Sequence, residues 1–168
     1  MLTELDNYLQ RIEDLGSQVR SLVEGLPAEA LNWRPIEGDE AGLTNSLAML
    51  AAHIAGAEHF WIGEVIGGQP PTRDRDSEFS VSAKDAGELL RALDASGEEA
   101  RQVLSAMDPA ELDGTREARG RTIPVRWCIL HIIDHTALHL GHMQITYQLW
   151  KGGEGKPSPL WHQRLPAK

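Results

Sequence analysis

The sequence predicts an all-α fold, an antiparallel four-helix bundle with long connecting loops, and three observations lead there. Four segments repeat apolar residues at steps of three and four, each segment is bounded by capping or breaking residues, and no stretch alternates like a strand. At 168 residues the chain can bury one core, so residues 1–168 are expected to form a single domain.

The first helix is read from Leu5, Leu9, Ile12, Val19 and Leu22, with Thr3 and Asp6 at capping-box spacing and Leu26-Pro27 at its end. A loop with Pro35, Gly38 and Gly42 follows. The stretch TNSLAMLAAHIAGAEHFWIGEVIGG forms the second helix, capped at Thr44 or Asn45 and stopped by Gly67-Gly68. QPPTRDRDSEFSV then reads as a polar loop. Ser82 with Asp85 opens a third helix that runs through Leu89, Leu93, Leu104 and Met107 to Asp108-Pro109. A further loop with Gly114 and Gly120 leads to Pro124, tolerated in a first turn, and the fourth helix extends to about Lys151, before Gly152-Gly153. The tail from Gly155 onward is expected to be irregular.

Composition narrows the function. A net charge of -9, a pI near 5.2 and the lack of a basic stripe argue against a nucleic-acid or anionic-membrane partner. Cys128 is the single cysteine, which excludes an intramolecular disulfide or a CxxC motif and fits a reducing cytoplasm. No apolar run reaches the roughly 18 residues of a membrane span, and MLTELDNYLQ lacks the features of a signal peptide, so a cytoplasmic protein is expected.

Chemistry concentrates in HIIDHTALHLGH, residues 131–142, which holds four of the seven histidines. At about 100° per residue, His131, His135, His139 and His142 share one face of the fourth helix, with Cys128, Ile132, Met143, Thr146 and Trp150 within or beside it. On the second helix His53 falls on the apolar side with Leu50, Ala57 and Trp61, whereas His59 falls about 120° away. Buried imidazoles cost free energy unless their nitrogens find partners, and charged together they repel. A metal ion resolves both problems. His135 and His139 stand one helical turn apart, so both can reach one ion, and His53 can complete a three-histidine site with coordination positions left open. The competing reading is a core whose histidines are satisfied by hydrogen bonds. His131 and His142 then read as groups that orient a ligand or relay a proton, or as ordinary core and rim residues. His59 and His162 are expected at the surface, Cys128 as a small core residue, and Trp61, Trp127 and Trp150 as packing. No paired ExxH motif supports a ferritin-like di-iron site.

LPAEALNWRP, then NSLAMLAAHIAGAEHFW, then HTALHLGHMQ resemble, in order and over nearly the whole chain, the DinB/YfiT-like superfamily of metal-binding four-helix bundles. The resemblance implies one divalent ion held by His53, His135 and His139, and a homodimer. It also implies chemistry of the kind its characterised branches perform, thiol-dependent S-transfer or isomerisation with mycothiol, bacillithiol or glutathione. RWCILHIIDHTALHLGHMQ looks closest to the mycothiol-dependent branch, although Gln144 stands where that branch has an acidic residue.

The function expected is therefore that of a metal-dependent small-molecule enzyme of the thiol-dependent S-transferase or isomerase type. Alternatives are a non-catalytic metal-binding or stress-response protein and a metal-dependent hydrolase. Zinc or nickel is favoured as the ion, with iron, cobalt and manganese also compatible with three imidazoles, and a low-molecular-weight thiol is the expected co-substrate. Arg34 and Arg126 are candidate contacts for its anionic groups. Leu130 and Ile133, away from the histidine face, are candidates for the dimer contact.

Overall fold

The computed structural model describes residues 3–36 and 44–153. Gly38, Gly42, His162 and the tail from Gly155, each read above, lie outside the described residues.

Four long helices form the bundle: α1 (Glu4–Val23), α3 (Leu47–Glu58, continued by a π-helical stretch His59–Ile66), α5 (Gly87–Ala106) and α6 (Val125–Trp150). Two short helices sit in the connections, α2 (Ala28–Asn32) and α4 (Arg75–Glu78). Around the bundle the order is α1, α6, α3, α5. Side-chain pairings give the directions. Glu13 meets Arg101 and Arg20 meets Asp94, so α1 and α5 run antiparallel; Trp61 meets Trp127 and His53 meets His135, so α3 and α6 do too. By contrast His59 and Gly67 of the α3 rod face Glu99 and Val103, so α3 and α5 run in the same sense. Parallel neighbours need a connection that returns along the bundle. That return is the segment between Gly67 and Gly87, and it passes His53.

The core has two apolar halves. One joins Leu15, Val19 and Val23 to Leu50, Ile54, Leu89, Leu140 and Met143. The other joins Leu5 and Ile12 to Trp61, Ile62, Leu104, Val125, Cys128 and Ile132. Among the described residues no helix is long and apolar enough to cross a membrane.

Several boundaries move for local reasons. The Thr3/Asp6 capping box forms as expected. Helix α3 is capped by Ser46, whose hydroxyl accepts from Met49 N at 3.2 Å, rather than by Thr44 or Asn45. Helix α5 begins at Gly87 rather than at Ser82, because Ala83 is held elsewhere: its N–H donates to Asn32 Oδ1 at 2.8 Å and its carbonyl accepts from Asn32 Nδ2 at 2.7 Å. Pro124 caps α6 from outside and does not enter its first turn. The loop expected before it is a hairpin, β1 (Thr115–Ala118) paired antiparallel with β2 (Arg121–Pro124), turned at Arg119 and Gly120 with φ of 52° and 70°. Two successive left-handed residues are the signature of a two-residue hairpin turn matched to strand twist.

Candidate metal centre

The bundle brings His53, His135 and His139 together. Helix α3 presents His53 from a buried position, and α6 presents His135 and His139 one turn apart, half-buried. One ligand-capable nitrogen from each ring lies within 4.8 Å of the others. His53 Nε2 and His135 Nε2 are 3.0 Å apart, and the three ring centroids stand 4.4–5.0 Å from one another. The most buried stripe of α6 is Cys128, Ile132, Thr136, Leu140 and Met143, centred about 80° round the helix from His135 at about 100° per residue. The histidines thus flank the core and open toward solvent.

Electrostatics keeps the rings uncharged. Burial first, then the imidazoles of His139 and His53, holds His135 down to about 3; burial, then His53, holds His139 down to about 4. Burial also lowers His53, against the opposing pull of Glu78. Near neutral pH the trio offers neutral imidazoles, the form that ligates metals. Hydrogen bonding does not satisfy it: among the described residues, the buried Nδ1 atoms of His135 and His139 have no partner, nor has Thr136 Oγ1. An unpaired buried polar atom costs about 1–3 kcal/mol, so a self-satisfied histidine core does not account for this cluster. The donor set fits one divalent ion with positions left open.

Sequence reasoning missed two residues beside it. Arg73 and Glu78, from the segment read as a plain polar loop, reach into the bundle with side chains 7 % exposed. Glu78 Oε2 lies 2.7 Å from His53 Nδ1, and Arg73 grips both carboxylate oxygens, Nε to Oε1 at 2.6 Å and Nη2 to Oε2 at 2.9 Å. The Phe79 ring packs 4.8 Å from His53. A loop residue carries no periodicity that could have pointed to this; the available signal was Gly56 on the inner face of α3, a position without a side chain.

The other candidates are placed as follows. His131 stacks on Trp127 at 4.6 Å and meets Trp61 edge-on at 5.4 Å, with its ring 5.6 Å from that of His135. His142 is exposed, its ring 5.5 Å from that of His139. His59 is no free surface residue: the end of α3 presents it to α5, where Nδ1 meets Glu99 at 2.7 Å and Nε2 meets Thr72 Oγ1 at 2.8 Å. Arg126 is engaged by Glu4 and Asp113 at the start of α6, and Arg34 donates to the Thr44 carbonyl. Cys128 is fully buried and burial pushes its thiol up to about 11, the behaviour of a core residue. A cavity of about 490 Å³ opens beside Arg73 and Glu78 between α3 and α5, and none of the three histidines lines it.

The family model described as the DinB superfamily matches residues 11–143. The chain belongs to the DinB superfamily. Solved structures agree on the fold of this DinB-superfamily chain. A conserved protein from Enterococcus faecalis is 14 % identical with a TM-score of 0.72, over 90 % of this chain and 99 % of that one. A DinB-like protein from Bacillus cereus is 17 % identical with a TM-score of 0.70, over 90 % and 95 %. Among curated proteins no significant match is found.

Proposed function

We propose that His53, His135 and His139 hold one divalent metal ion, zinc or nickel, and that this DinB-superfamily protein is a small-molecule enzyme of the thiol-dependent S-transferase or isomerase type. The observation that carries the metal reading is the trio itself: three uncharged imidazoles from two helices, with ligand-capable nitrogens within 4.8 Å of one another. A bound ion supplies a Lewis acid that makes a thiolate or hydroxide available near neutral pH. The chain's own residues do the rest. Glu78 holds His53 from behind, so the free side of the trio faces the exposed edge of α6. There Trp127, His131 and Trp61 form an aromatic wall on which an unsaturated or apolar electrophile can rest. The thiol is supported by the likeness of residues 126–144 to the mycothiol-dependent branch. A cytoplasmic homodimer belongs to the same proposal. Leu130 stays exposed as that requires, whereas Ile133 packs against the core.

The test is elemental analysis of the untagged protein beside His139→Ala, followed by thiols assayed with a panel of electrophiles. Near-stoichiometric metal in the wild type, falling at least tenfold in the variant, and turnover that needs both metal and thiol are expected. A wild type that takes up none of zinc, nickel, iron, cobalt or manganese ends the metal reading. Turnover with water alone makes the protein a hydrolase, and metal without any turnover makes it a binding protein.

A further inference from the structure

We infer that Glu78 is the positioning residue of the histidine cluster: brought in by the α3–α5 crossover, it fixes which nitrogen of His53 is free to ligate. The inference rests on the metal reading above, yet makes a claim that the metal-free protein can test. A carboxylate oxygen only accepts, and at 2.7 Å Glu78 is much closer to His53 Nδ1 than the donor Arg73 Nη2 at 3.5 Å, so the proton of His53 sits on Nδ1. The bare lone pair is then on Nε2, the nitrogen that faces His135. The contact is built from several sides. Arg73 forks onto both oxygens of Glu78, Phe79 lies against the His53 ring, and Asp74 caps the short helix that ends at Glu78. The crossover is itself pinned to the α3 rod, where Glu64 Oε1 accepts from Thr72 N at 2.7 Å and Arg73 N at 2.8 Å.

Gly56 completes the argument. A Cβ built there would lie 2.1 Å from Glu78 Oε1 and 2.8 Å from its Cδ. A side chain of any kind at position 56 therefore forces the carboxylate aside, and glycine there is what lets it reach His53.

The experiment uses the full chain, stripped with a chelator and titrated with zinc against a chromophoric competitor, for wild type, Glu78→Gln, Gly56→Ala and the control Glu99→Gln, which alters the His59 contact instead. Glu78→Gln and Gly56→Ala are expected to raise the zinc Kd by about 10- to 100-fold with helicity unchanged, and the control to stay within about threefold. Gly56→Ala displaces the Glu78 carboxylate without removing a charge, and the helicity measurement separates positioning from folding. Imidazole ¹⁵N shifts of the metal-free wild type are expected to show His53 protonated on Nδ1. Both variants within about threefold of wild type, while His135→Ala has lost zinc, overturns the inference, as does His53 protonated on Nε2. If the wild type binds no zinc, the titration is run with nickel, iron, cobalt and manganese; if none binds, the metal reading falls and the tautomer measurement alone decides this one.

Discussion

Glu58 sits 5 % exposed on α3, and burial raises its carboxyl to about 7, with Ser96 pulling down and Glu99 adding to the rise. Its folded pKa lies above the unfolded value of 4.5, so the native state binds more protons between those limits and stability falls as pH climbs from about 4.5 to about 7. Glu58→Gln is therefore expected to stabilise the protein at pH 8, by about 3 kcal/mol at most, and to be near neutral at pH 4.5. Urea melts at the two pH values check this; equal effects at both would put the cause in packing. The meeting of the three histidines was legible at this scale because helical spacing is local arithmetic: His135 and His139 are four apart, and His53 lies on an apolar face. Glu78 was not legible. It meets His53 across 25 positions of sequence, through a loop whose path only tertiary structure sets. His59 was misread because the helical angle places it on a second face of α3 without showing that α5 and Glu99 cover that face.

At the scale of elements, the long helices followed directly from their apolar periodicity, while starts and connections did not. Asn32 explains one such shift, since its amide occupies both backbone groups of Ala83 and delays α5. Asn32→Ala leaves those groups, half-buried beside α2, without partners. A loss of about 1–3 kcal/mol is expected by chemical denaturation, with the zinc Kd unchanged within about threefold. A loss under 0.5 kcal/mol would mean that water replaces the amide. The hairpin escaped the sequence because its strands are four residues long and mostly polar, with Ala118 alone fully buried. What marks it is the turn, Arg119-Gly120, and not the strands.

For the whole molecule, an all-α bundle was readable from four amphipathic segments, but the side-by-side running of α3 and α5 was not. Periodicity reports which face is apolar and says nothing of which neighbour covers it. The same limit applies to the outer face of α6, where Leu138, Ile145 and Leu149 are more than half exposed. Their spacing of seven and four keeps them on one side of the helix, and this is the surface the proposed homodimer would bury. Light scattering on eluting protein is expected to give twice the 18.5 kDa chain mass for wild type and a monomer for Ile145→Glu. A monomeric wild type across the micromolar range removes the dimer from the proposal.

The 82 positions between His53 and His135 also have a meaning in time. At roughly 5–20 residues per second, a ribosome adds the second imidazole about 4–16 s after the first. During that interval the growing chain offers only one of the three proposed ligands, a poor competitor for a transition metal against the other ligands of a cell. His139 follows His135 within about a second, and only once both have emerged can three donors converge. Under the metal reading proposed above, uptake of an ion therefore waits until α6 has folded back on α3, and the supply the cell offers at that moment bears on which ion is taken.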